Sequence, residues 1–107
     1  MTKQLLKLGL LDKADLQNET AEKPAYKKYF MHGTSHHIGL DTHDYGLLHL
    51  PMESNMVFTV EPGIYIPEEG FGVRLEDDVV IQKTGAPINL MESIPIEIEE
   101  IETLMNT

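Results

Sequence analysis

The sequence predicts an α+β chain, with a helical segment at each end and short strands between them. Three observations carry that prediction. The leucines of the first eleven residues read as one side of an amphipathic helix. Ile98, Ile101, Leu104 and Met105 repeat at helical spacing near the other end. The stretch between is dominated by short runs that alternate apolar and polar residues at the period of two that a strand requires.

Taken in order, Lys3 to Leu11 reads as a short helix with Leu5, Leu6, Leu8 and Leu10 as candidate core contacts, weakened at its end by Gly9. Asp12 to Pro24 is polar and ends on a proline, which predicts a loop with one helical turn, followed by a short helix near Ala25 to Phe30. Strands are expected near His36 to Leu40, Met56 to Val60, Ile64 to Ile66, Val73 to Leu75 and Val79 to Gln82, with turns at Glu68 to Gly72 and Lys83 to Pro87. The closing helix, Ile96 to Met105, should bury its apolar face and leave Glu97, Glu99, Glu100 and Glu102 in solvent. No internal repeat and no low-complexity segment interrupts this order.

At 107 residues with 41% hydrophobic content, the chain has room for one ordinary domain, spanning residues 1–107, with one small core. No apolar run approaches the ~20 residues that span a bilayer, and no basic segment precedes an apolar one as in a signal peptide, so a cytoplasmic enzyme is expected. The absence of cysteine excludes disulfides and thiolate metal sites, leaving His, Asp and Glu as ligands. A formal charge of −10, with Arg74 as the one arginine, argues against nucleic acid and gives no sign of an anionic membrane partner.

The chemistry is concentrated in three clusters: HGTSHHIGLDTHD from His32 to Asp44, TVEPGIY from Thr59 to Tyr65, and GVRLEDD from Gly72 to Asp78. Glu61 and Glu76 each sit in a run that otherwise reads as a buried strand, and burying a carboxylate is costly unless something pairs with it. Phe58 and Val60 alternate with Thr59 and Glu61; Val73 and Leu75 alternate with Arg74 and Glu76. Two adjacent strands are therefore expected to point Glu61, Glu76 and Arg74 into one polar cleft. His32 and His36 have the i, i+4 spacing of a helical metal motif, but Gly33, Thr34 and Ser35 between them are poor helix-interior residues. His37 and His49 read as structural or surface residues, and Glu68 and Glu69 as a solvated acidic turn.

FMHGTSHHIGLDTHD followed by MVFTVEPGIYI and GVRLEDDVVI resembles the pita-bread metallopeptidases, and within them the Xaa-Pro aminopeptidase branch. The resemblance implies half of a pita-bread fold, an antiparallel sheet with flanking helices. It also implies five metal ligands in the order two aspartates, one histidine and two glutamates. His36, Glu61 and Glu76 match the last three. Before His32 there are only Asp12 and Asp15, in a polar turn at the wrong spacing, so the chain looks like the C-terminal half of a catalytic domain.

By the same resemblance, two divalent ions, Mn2+ first with Co2+ or Zn2+ as alternatives, would be held with Glu76 bridging and with His36 and Glu61 on one ion. Glu61 would also move a proton, and His43 and His32 would act on the substrate without touching metal. Arg74 and Tyr65 would contact substrate or orient the ligand carboxylates. The implied substrate is a peptide with proline at its second position, and the implied partners are the N-terminal half of the same catalytic domain and a second copy in a homo-oligomer. Ser35 before His36 resembles the aminopeptidase branch more than the prolidase branch, where glycine is usual, so Xaa-Pro dipeptidase is the alternative reaction. A non-catalytic module of the same fold that binds peptide is the alternative of a different class.

Overall fold

Every strand pair in the chain is antiparallel, and the strands fall into two separate sheets. The computed structural model describes residues 1–107, and they form two units: Met1–Ser35 with Glu61–Glu76, and His36–Val60 with Asp77–Thr107.

The first unit begins with helix α1, Thr2–Lys7. It stops four residues short of the expected end because Gly9 takes a left-handed φ of 71°. Gly9 N–H then bonds to the Leu6 carbonyl and Leu10 N–H to the Leu5 carbonyl, the paired bonds of a Schellman C-cap. The turn carries Leu8 away from the core, where it is 60% exposed, contrary to expectation, and brings in Leu11 at 4%. Helix α2, Lys13–Gln17, is the helical turn expected in the polar stretch, held by a capping box in which Asp12 and Asp15 each accept the other's backbone N–H. A 3-10 turn, Ala25–Lys28, follows in place of a longer helix. Leu5, Leu11 and Tyr29 make the core, with Leu6, Leu10, Ala25, Tyr26, Ile64 and Ile66 packed against them.

In chain order β1 is Val57–Val60, β2 is Gly63–Ile66 and β3 is Phe71–Arg74, and β2 and β3 form the first unit's hairpin. The hairpin turns through Pro67–Glu69 and Gly70, whose φ is 70°. Its register pairs Ile64 with Val73 and Ile66 with Phe71 on one face, and Tyr65 with Gly72 and Gly63 with Arg74 on the other. Gly72 has to be glycine: a Cβ there would stand 2.5 Å from the Tyr65 ring. Glu68 in the turn meets Lys28 at 3.2 Å, but both side chains are more than half exposed, so the pair contributes little.

In the second unit β1 pairs with β4, Asp77–Val80, and β4 with β5, Ile88–Asn89, giving the order β1-β4-β5. The short β5 was not expected from sequence. The strand expected near His36 to Leu40 reduces to a single bridge between His37 and Phe58. Beyond it the chain folds back on itself, with Gly39 N–H bonding to the Asp41 carbonyl and Asp44 N–H to the His37 carbonyl. The alternation expected in β1 also changes: Phe58 and Thr59 are both buried and Val60 is 41% exposed. The His37 ring packs on Phe58 from one side, while the His36 main chain covers Thr59. Asp77 and Asp78 lie half-buried in β4 opposite Val60 and Thr59.

The last element, α3, is Ile98–Met105. Its apolar residues share a face as expected, but that face is not buried: Ile98, Ile101, Leu104 and Met105 are all exposed. No helix is long and apolar enough to cross a membrane.

Candidate metal centre

Backbone pairing places the ligand-bearing residues. Ile38 N–H bonds to the Val57 carbonyl, Thr59 N–H to the His36 carbonyl and Glu61 N–H to the Thr34 carbonyl. These bonds step two residues at a time, the spacing of an antiparallel ladder. The Thr59 hydroxyl, fully buried, accepts the His36 N–H at 3.0 Å and fixes the main chain at that rung.

Glu61 follows β1 directly, and its side chain is 12% exposed. Arg74 reaches both glutamates from the polar face of the β2–β3 hairpin: its Nε lies 3.8 Å from Glu61 Oε2 and 4.0 Å from Glu76 Oε2. One cation between two carboxylates offsets part of their mutual repulsion and of the cost of desolvating Glu61. The polar set Glu61, Glu76 and Arg74 is thus brought together as the sequence suggested. The geometry is different, since both glutamates lie just beyond strand ends rather than within strands.

His36, in the second unit, and Glu61 and Glu76, in the first, are the residues that could hold a metal ion. His36 Nδ1 lies 2.8 Å from the His37 carbonyl oxygen. A carbonyl only accepts, so Nδ1 carries the hydrogen and the lone pair of the neutral ring is on Nε2. An imidazole oriented through Nδ1–H with its other nitrogen presented is the usual arrangement of a metal-ligating histidine. One imidazole and two carboxylates form a hard donor set suited to a divalent cation.

The remaining candidates lie outside this ligand set. His43 is exposed, with its ring 4.3 Å from that of His36. His32 is engaged at both nitrogens: Nδ1 lies 2.7 Å from the Gly33 carbonyl and Nε2 2.7 Å from the Tyr65 hydroxyl. Nδ1–H therefore donates, and Nε2 accepts the Tyr65 O–H. Phe30 and Tyr65 flank the ring edge-on at 4.6 and 5.4 Å. His37 is structural, as expected: its ring stacks on Phe58 and occupies the space that a Cβ at Gly46 would need. His49 is exposed.

Two residues that matter to the site were not singled out from sequence. Thr59 holds the His36 backbone, and its signal was a hydroxyl in an apolar run at the same parity as Glu61. Asp44 organises the loop that carries His43: its carboxylate accepts the N–H groups of Leu40 at 3.0 Å and Tyr45 at 2.8 Å. An aspartate in a glycine-containing loop is the common residue for such a turn, but spacing alone does not show which amides it meets.

The model of metallopeptidase family M24 matches residues 10–83, and the chain belongs to that family, whose members bind divalent metal ions. The Xaa-Pro aminopeptidase of Escherichia coli K12 is 45% identical, in a match that covers 98% of this chain and 26% of that protein. Among solved structures, a putative aminopeptidase P from Bacillus anthracis superposes with a TM-score of 0.80 at 40% identity, over 98% of this chain and 23% of that one. The aminopeptidase PepP of Pseudomonas aeruginosa gives a TM-score of 0.79 at 38% identity, over 98% and 26%. The chain thus spans about a quarter of the length of the relatives it matches.

Proposed function

We propose that this chain supplies the histidine and glutamate ligands of a dinuclear metal centre that hydrolyses the bond between an N-terminal residue and a following proline. The observation that carries this reading is the pair of candidate ligand carboxylates, Glu61 and Glu76, that Arg74 Nε meets at 3.8 and 4.0 Å. The names of the most similar relatives support the choice of substrate.

Divalent cations, Mn2+ in the first instance, supply an acidified water and a Lewis acid at such a site. His36, Glu61 and Glu76 would hold these ions on the side that this chain supplies. The preceding half of the catalytic domain is assigned the two remaining aspartate ligands. Glu61 takes the proton of the attacking water and delivers it to the leaving amine. His43 donates a hydrogen bond to the oxygen of the attacked carbonyl as negative charge develops there. His32, held by Tyr65 and Gly33, lines the substrate path, and Arg74 keeps both glutamates oriented from the hairpin's polar face.

The test is metal analysis and Xaa-Pro peptide hydrolysis on the full-length protein and its Glu61→Gln and Glu76→Gln forms. Loss of both metal and turnover is expected. Full turnover in either variant would remove the ligand assignment. Turnover on dipeptides but not on longer peptides would move the reaction to the Xaa-Pro dipeptidase alternative.

A further inference from the structure

The loop that carries His43 is tied at its two ends by a single residue. Asp44 N–H donates to the His37 carbonyl at 3.0 Å, Asp44 Oδ2 accepts the Leu40 N–H at 3.0 Å, and Asp44 Oδ1 accepts the Tyr45 N–H at 2.8 Å. The two carboxylate bonds straddle His43, since one amide precedes it in the chain and the other follows. A carboxylate suits the position. Ionised, it only accepts, and its two oxygens take two backbone N–H groups at once, whereas an amide would turn its NH2 toward one of them. The space for it comes from Gly39, where a Cβ would collide with Asp44 Oδ2. Gly39 is not among the glycines of positive φ, so what the position needs is the missing side chain and not a special backbone.

The same loop brings His43 to His36. Their ring centroids lie 4.3 Å apart, with the planes inclined at 43°. The His37 carbonyl that accepts the Asp44 N–H also lies 2.8 Å from His36 Nδ1, and a carbonyl oxygen has lone pairs for both donors. The oxygen that orients the His36 imidazole is therefore the one to which the loop is tied, one residue beyond His43.

We infer that Asp44 is a positioning residue that sets the His43 ring against that of His36, with Gly39 providing the room its carboxylate needs. The kinetic consequence rests on the role proposed above for His43. Without the carboxylate, the Leu40 and Tyr45 amides lose their acceptor and the segment between them can turn His43 away from the attacked carbonyl. The His36 main chain stays held by the Thr59 hydroxyl, so the ligand is not lost with the loop.

The test is made on the full-length protein. Asp44→Ala, Asp44→Asn and Gly39→Ala are each expected to lower kcat on an Xaa-Pro peptide by about tenfold or more with bound metal retained. Asp41→Ala, which removes a carboxylate from the same loop, is the control and leaves kcat unchanged. Added to His43→Ala, Asp44→Ala should cost no more than about twofold further, because a residue that acts through His43 then has nothing left to place. A loss equal to the product of the two single losses would overturn the inference. Histidine ring resonances of the metal-free protein give a readout apart from activity: those of His43 should move in Asp44→Asn and Gly39→Ala and stay in Asp41→Ala. Unmoved His43 signals in the first two, or an equal shift in the control, would overturn it as well. Full kcat in His43→Ala is a different result: it would remove the hydrogen bond of His43 from the reaction and leave the ring resonances to decide the positioning.

Discussion

Replacing Thr59 by valine separates the positioning of His36 from its chemistry. Valine keeps the β-branched shape that suits β1, so the backbone of the strand is not challenged. What it removes is the acceptor for the His36 N–H, a bond of 3.0 Å to a side chain with no solvent exposure. The bond is part-buried, so its loss costs at most the ~1–3 kcal/mol of a fully buried unsatisfied donor. If the main chain at His36 shifts to recover a partner, the imidazole shifts with it, and loss of orientation at a ligand typically lowers metal affinity ~10- to 100-fold. Thr59→Ser is the matched control: it keeps the hydroxyl and loses one methyl, at about 0.5–1.5 kcal/mol by analogy with Ile→Val. The assay pairs urea unfolding of the full-length protein with calorimetric titration of Mn2+. Serine should retain near-normal metal affinity while valine loses it. Equal metal affinity in both variants, with valine destabilised by less than about 0.5 kcal/mol, would refute the argument that the buried hydroxyl positions the ligand.

Three further outcomes are expected. The isolated 107-residue chain should show no appreciable cleavage of Xaa-Pro peptides with added manganese, cobalt or zinc, because three ligands are too few to hold two ions; turnover near that of the full-length protein would contradict this. In the full-length protein, alanine at His36, Glu61 or Glu76 should abolish activity and lower metal content, whereas His43→Ala should cost roughly 10²–10³ in kcat with metal retained. Metal loss at His43 with full occupancy at Glu76 would invert the assignment. Tyr65→Phe removes the O–H that His32 Nε2 accepts at 2.7 Å, and is expected to destabilise the fold by about 0.5–1.5 kcal/mol and to move the His32 ring resonances. Unchanged resonances would show that the bond does not persist in solution.

The hairpin was legible in the sequence because its pattern is local. Ile64, Ile66, Phe71 and Val73 alternate with Tyr65, Gly72 and Arg74 on either side of a Pro-Glu-Glu-Gly turn, and register then follows from parity. The strand expected near His36 to Leu40 stops at the bridge of His37 with Phe58 for the complementary reason: past that point its alternation is equally compatible with a ladder and with a loop. Gly39 and the Asp44 carboxylate decided for the loop through contacts that no spacing rule reveals. Burial misled in the same way at Leu8 and at α3. Periodicity shows that a face is apolar, but what covers it lies elsewhere in space.

The candidate ligands were singled out through motif rather than pattern, and the structure supplies a physical reason for the positions of the two glutamates. Glu61 stands at the end of β1 and Glu76 just before β4, at the points where each chain segment leaves a strand. A carboxylate in the middle of β1 would have to replace a residue such as Phe58 or Thr59, both buried, and would bear the full cost of desolvation. One step beyond the strand, the backbone is still fixed, by the bond from Glu61 N–H to the Thr34 carbonyl, while the side chain is 12% exposed and within reach of Arg74. The rigidity of a strand and partial access to solvent are both needed by a ligand that must be ionised before a metal arrives, and the strand end is where this chain combines them.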